Sequence, residues 1–200
     1  MESGVFARAL LVSFSRITIA TILAAIAGSI LGVVMGISRT AEQVLSPITQ
    51  PLRYLPITAL LPLLILWLGI GESMKITFLF IGIVFYFIPL VRNAIRSVPE
   101  EFIDVAKGFG TSKWKIVREV YWPYALPKIF DGLIVVNGIG WTYVILAEIV
   151  NAQDGLGYLV YIAGRLQRSD EVFAILLLIG AVAIASDRLL HYIKAKYFFW

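Results

Sequence analysis

The five longest charge-free stretches of the chain are Ile17–Ser38, Tyr54–Gly71, Ile76–Val91, Gly132–Ala147 and Val172–Ser186, of 22, 18, 16, 16 and 15 residues. At 1.5 Å per residue the first crosses a hydrocarbon layer of ~30 Å unaided. The last three reach that length when Lys75, Arg92, Lys128 and Arg188 bury their stems and lift their charges to the interface. The pattern predicts an all-α, polytopic membrane bundle of about five helices. No repeat, linker or low-complexity tract divides residues 1–200, so they read as one domain.

Two spans carry further patterning. In the first, Ala20, Ala24, Gly28, Gly32 and Gly36 recur every fourth residue, a stripe on one helix face that lets a second backbone approach closely. In and before the second, Pro47, Pro51, Pro56 and Pro62 each remove a backbone donor, and Gly69 and Gly71 close the run. That segment reads either as kinked packing or as a broken helix of the kind that lines transport sites.

Composition excludes a water-soluble domain: 60% of residues are hydrophobic and 15% charged, against roughly 25% charged in soluble proteins. A net charge of +4 is too small to point to nucleic acid and marks topology instead. Seven of the seventeen Lys and Arg residues fall between Arg92 and Lys128, which the positive-inside rule assigns to the cytoplasm. Alternation then places the N-terminus outside and the C-terminus inside, with twelve cations inside. The closing Tyr197-Phe198-Phe199-Trp200 reads as an interfacial aromatic anchor. With no cysteine and a single histidine, disulfides, thiolate catalysis and multi-histidine metal sites are out. No Ser/His/Asp set and no paired carboxylates in a plausible cleft point to an enzyme.

The polar stretch, residues 93–127, holds the most specific pattern. Ser97-Val98-Pro99-Glu100 has the form of a capping box. Phe102, Val105, Ala106 and Phe109 then follow at i, i+3, i+4, i+7, one apolar face of a two-turn helix. Gly108 and Gly110 offer a left-handed stop, Thr111 or Ser112 caps a second helix, and Pro123 and Pro127 turn the chain back to the membrane. So short an amphipathic helix needs a surface to bury it, and either the headgroups or a groove on a soluble partner would serve.

A resemblance separates these options. Asp104-Val105-Ala106, three residues, Gly110, nine residues, then Val120-Tyr121-Trp122-Pro123 resembles the EAA loop of ATP-binding-cassette importer permeases, E-A-A, x3, G, x9, I-x-L-P. Val105, Val120 and Trp122 depart from it, Trp122 the least conservatively. Pro51-Leu52-Arg53 with Leu66-Trp67-Leu68-Gly69, Ala147-Glu148 with Gly155-Leu156-Gly157, and Asp187-Arg188-Leu189-Leu190 resemble the nitrate/sulfonate/taurine/bicarbonate branch.

The resemblance implies the type I importer permease fold in a prokaryotic inner membrane. It implies two permease subunits, an identical second copy being expected, two ATPase subunits gripping the coupling helices, and an external solute-binding protein. By the same resemblance Phe102, Asp104, Val105, Ala106, Phe109, Gly110 and Pro123 form the coupling site. Asp104 either bonds the ATPase or serves the helix dipole. The cargo is expected to be a small anion such as nitrate, a sulfonate, taurine or bicarbonate. No Gly-x4-Gly-Lys-Ser/Thr run occurs, so no cofactor is expected on this chain and ATP with Mg belongs to the partner.

Asn93, Asn137, Thr142 and Thr58 are the polar candidates for a translocation path, Asn137 being equally an interhelical bond. Glu148, at the outer edge, reads as a gate or loop anchor, and Asp187 as a partner of Arg188 or another cytoplasmic cation. A secondary carrier or channel, or a membrane scaffold tethering a soluble partner, are the competing classes. The near absence of ionisable residues in the span centres counts against the carrier.

Overall fold

The computed structural model describes residues 3–150 and 153–198. Nine α-helices are found among them: α1 (Ser3–Ile37), α2 (Arg39–Leu52), α3 (Leu61–Leu68), α4 (Glu72–Arg96), α5 (Glu100–Gly108), α6 (Lys113–Ile116), α7 (Trp122–Ile149), α8 (Leu156–Arg165) and α9 (Ser169–Tyr197). A 3-10 turn, Ile57–Leu60, precedes α3, and a π-turn, Val117–Tyr121, joins α6 to α7. The expected aromatic anchor runs on into Phe199 and Trp200, which lie outside the described residues.

The small-residue stripe of α1 sets the packing. Cβ atoms added at Gly28, Gly32 and Gly36 would fall 2.6, 2.5 and 2.6 Å from Phe87, Val91 and Ile95 of α4. Only hydrogen leaves room for that approach, and Ala20 and Ala24 continue the seam fully buried. The constant offset of 59 residues in these contacts means that α1 and α4 run parallel. The chain between them must therefore return across the whole bundle. It begins where Glu42 pairs with Arg92 and Arg96 at the end of α4, climbs past the Tyr86 hydroxyl, which donates to the Arg53 carbonyl, and arrives at Glu72.

This second crossing is broken, one of the two forms expected from its prolines, but it begins well before the expected span Tyr54–Gly71. It is the pair Arg39–Leu52 and Ile57–Leu68, bent by 90°. Proline cannot donate the backbone bonds that would carry a helix through Pro51 and Pro56, so the chain breaks between them and restarts with Pro62 in the first turn of α3, where no donor is needed.

The other crossings are single helices. α7 runs antiparallel to α4, Gly132 facing Leu90 and Gly82 facing Tyr143, and α9 runs antiparallel to α7. Asn137 donates to Ser186 across the α7/α9 contact at 3.0 Å, and Lys194 caps it with bonds of 2.6 and 2.8 Å to Asp131. The described residues thus hold four helices long and apolar enough to cross a membrane, and a fifth crossing if the bent pair is one span. α4 is the spine, with Phe78, Leu79, Ile83, Phe87, Val91 and Ile95 buried, while α9 is the most exposed of the long helices.

Several local expectations are corrected. α1 starts at Ser3 rather than near Ile17, so Arg16 lies inside a helix instead of flanking one. Lys75 does not reach for the interface but is buried beside Glu72. Pro123 and Pro127 do not turn the chain: residues 113–149 form one rod. The π-turn absorbs Pro123, its wider i→i−5 bond from Trp122 N–H to the Val117 carbonyl giving the ring the space that an α-turn lacks. Of the partners expected for Asp187, Arg188 or another cation, the structure places His191 against it at 3.7 Å, one turn along α9.

Replacing Gly32 with leucine is expected to push α1 off α4, at a cost of about 1–3 kcal/mol or more from overpacking. Gly180→Leu, with no atom within 4 Å of its added Cβ, should be near neutral. Thermal unfolding in matched detergent checks both.

Candidate functional site

The start of α4, the end of α7 and the start of α8 meet the first half of α1 at one charged cluster. Arg16 is 1% exposed on the inner face of α1. Its Nε and Nη2 donate to the two carboxylate oxygens of Glu72, at 2.7 and 2.5 Å. Nη1 donates to Glu148 at 2.9 Å, and Nη2 to Asp154 at 2.6 Å. Ser13, one turn before Arg16 on the same face, donates to Glu148 and accepts the Leu156 N–H at 2.9 Å. The Gly157 N–H donates to Glu148 at 2.8 Å.

Glu148, fully buried, thus has each oxygen bonded, and the start of α8 is stitched to the end of α7. Gly155 enters α8 at φ +102°, and a Cβ on Gly157 would sit 2.8 Å from the Ile145 carbonyl. Both positions require glycine for the loop to close over the carboxylate.

Sequence reasoning found only one member of this cluster. Nothing in the local pattern marks Arg16 or groups the carboxylates, yet three converge on its guanidinium with Lys75 alongside. The available signal was Glu148 itself: a carboxylate ending an apolar run needs a buried partner. The partners come from residues 13–16, 72 and 154, a convergence that no local pattern encodes.

At the opposite end stands the hairpin. α5 buries Ile103 against the bundle and leaves Phe102, Val105 and Phe109 exposed, with Ala106 half-buried. Phe109 is 84% exposed, the most of any large apolar residue among those described. Phe102 rests on Tyr124 of α7 at 5.9 Å between ring centroids, which fixes the angle of α5 without covering its outer face. Phe102, Val105 and Ala106 also wall a groove of about 440 Å³ with Val120, Pro123 and Tyr124.

Gly110 ends α5 at φ +69°, with its N–H on the Lys107 carbonyl and the Thr111 N–H on the Ala106 carbonyl, a Schellman stop. Gly108 stays helical. The expected capping box does not form: Ser97 donates to the Ala94 carbonyl and accepts from Lys128 instead. Ser112 takes the N-cap position of α6 with no side-chain bond. Asp104 is exposed and pairs with Lys107 at 3.0 Å, and that hydrogen bond with the carboxylate charge behind it holds the ammonium pKa above its ordinary value.

The four polar path candidates do not meet. Thr58 and Thr142 are exposed at the level of Gly82, Thr142 donating to the Ile139 carbonyl. Asn93 accepts from Arg92 eleven residues further along α4, about 16 Å lower. Asn137 is buried in its bond to Ser186.

Residues 10–198 match the family of binding-protein-dependent transport system inner membrane components, and the chain belongs to that family. It is 36% identical over 174 residues to the taurine transport system permease protein of Escherichia coli (strain K12), covering 86% of this chain and 62% of that one. It is 28% identical over 187 residues to the nitrate import permease protein of Synechococcus elongatus, covering 92% and 67%. The chain thus spans about two thirds of the length of these relatives. Its fold is that of a chain in an inward-facing structure of the MetNI methionine ABC transporter, with a TM-score of 0.84 at 19% identity over 98% of this chain and 97% of the other.

Arg16→Met leaves Glu148 buried without its cation and is expected to cost about 3–5 kcal/mol, the range for breaking a buried ion pair. Thermal unfolding and yield of membrane-inserted protein should both fall. Loss of less than about 1 kcal/mol would show the cluster to be ornamental.

Proposed function

We propose that this chain is the permease subunit of an ATP-driven, binding-protein-dependent importer for a small anion, of the nitrate, sulfonate/taurine or bicarbonate kind. The observation that carries the reading is the uncovered apolar face of α5. Phe102, Val105 and Phe109 project from a short helix pinned by Ile103 and Gly110, at the end of the molecule where the cations gather. A soluble partner's groove buries such a face through anchors at this spacing. The taurine and nitrate permeases among its relatives support both the class and the cargo.

In this reading the hairpin is cytoplasmic, the N-terminus external and the C-terminus internal. A second copy of the chain completes the path, and two ATPase subunits hold ATP and Mg, one against each α5. A solute-binding protein delivers cargo at the Arg16 end. The chain supplies no chemical step and binds no cofactor. It converts displacement of α5 into movement of the bundle: the continuous rod of residues 113–149 connects the hairpin directly to Glu148. Asn93, Thr142 and Thr58, which are exposed, serve as path residues once a second copy closes the space around them, and Asn137 serves as the interhelical bond. Glu148 anchors the external loop.

Phe109→Ala is expected to weaken capture of the ATPase about thirty-fold, the factor for losing a 2 kcal/mol aromatic anchor. Gly110→Val, forced into a left-handed conformation, should abolish it. Pull-down from membranes co-expressing the candidate ATPase, with ATP-dependent uptake in vesicles containing the binding protein, reads both. Normal co-purification and uptake by both variants would refute the assignment.

A further inference from the structure

A slot opens on the outer wall of the bundle, between α1 and the rod that carries α6, the π-turn and α7. Its upper part, about 470 Å³, lies between Ile22 and Ile26 of α1 and Leu126 and Leu133 of α7. Its floor is Phe87 of α4, itself 1% exposed, so the slot reaches down to the core rather than skimming the surface. A lower part of about 340 Å³ continues it past Val34, Trp114 and Arg118. The two share Ser29, Ile30 and Trp122 and form one passage.

The passage runs from Thr21 to Val34, thirteen helical steps of α1 or about 20 Å. That is shorter than the ~30 Å a crossing helix would lie along, and it matches one leaflet: about 15 Å of hydrocarbon plus about 5–7 Å of headgroup zone. Both parts are walled by apolar atoms. Arg118 lines the lower part, on the hairpin side, through its stem; the residue is exposed, has no carboxylate partner among the described residues, and is flanked along its helix by Trp114 and Trp122, which suit an interface.

From this juxtaposition we infer that the slot between α1 and α7 is a binding site for one anionic phospholipid of the hairpin-side leaflet, its phosphate on Arg118 and an acyl chain laid over Phe87. Basic pockets between helices on the cytoplasmic side recognise anionic headgroups in this way. The occupant wedges α1 against the π-turn, next to the hairpin. The site stands without the transport reading; only the naming of the leaflet as cytoplasmic rests on it.

The test uses the full chain in nanodiscs of phosphatidylethanolamine and phosphatidylglycerol, released into detergent and read by native mass spectrometry. The wild-type chain should retain one phosphatidylglycerol in preference to phosphatidylethanolamine. Arg118→Gln should reduce that preference about five-fold, the factor for one basic residue near a membrane surface. Ser29→Phe, which fills the shared neck, should remove the retained lipid of either kind. Unchanged retention in Ser29→Phe, or unchanged preference in Arg118→Gln, would overturn the proposal. A photoreactive side chain at Ile26 gives an independent reading that needs no destabilising change: a lipid adduct supports the site, and an adduct with a protein helix overturns it. None of these readouts involves the ATPase or uptake, so failure of the transport assignment would leave them standing.

Discussion

A guanidinium inside a membrane bundle is tolerated only where its charge is answered, and Arg16 is answered by carboxylates from three separate parts of the chain. That requirement dictates the upper end of the molecule. It brings the start of α4 to the middle of α1, holds the end of α7 against both, and draws the 153–157 loop over the top. Ion pairs of this kind contribute little net stability compared with apolar packing, because desolvation offsets most of the attraction. Their value is in specificity: one register of α1, α4 and α7 satisfies all the oxygens, and a slip by one residue leaves a buried charge unpaired.

The opposite end has the reverse character. There the ion pairs of Glu42 with Arg92 and Arg96 are partly exposed, and the hairpin offers an apolar face with nothing on it. Between the two ends run elements with little freedom: α1 and α4 locked through glycines, and a rod from Lys113 to Ile149 that passes Pro123 through a π-turn without breaking. A molecule clasped at one end, stiff along its length and open at the other suits a lever driven by a separate motor. The permease proposal gives that asymmetry a purpose.

Much of this was legible in the residues. The charge-free runs fall within all four long apolar helices and on the second half of the bent pair, because lipid leaves a helix no other option. The four-residue stripe in α1 identified the seam that α4 fills, and the i, i+3, i+4, i+7 face of α5 identified the hairpin's exposed ridge. Prolines were harder to read, for their effect depends on what surrounds them. Pro51 and Pro56 interrupt a helix, whereas Pro123 is absorbed by a π-turn and Pro127 continues within α7. Capping was misjudged at Ser97, where Lys128 on α7 competes for the hydroxyl, a contact 31 residues distant. The Arg16 cluster escaped for the same reason: Ser13 and Glu148 are 135 residues apart, and only the fold makes them neighbours.

The account turns on that cluster being closed in the working protein, and the amides of Leu156 and Gly157 report on it directly, since their partners are Ser13 and Glu148. Hydrogen–deuterium exchange of the full chain in lipid nanodiscs should find both amides strongly protected in the wild type. Both should become fast in Arg16→Met, while protection along α4 between Phe78 and Val91 is retained. Rapid exchange of the two amides in the wild-type protein, or protection that survives removal of Arg16, would contradict it.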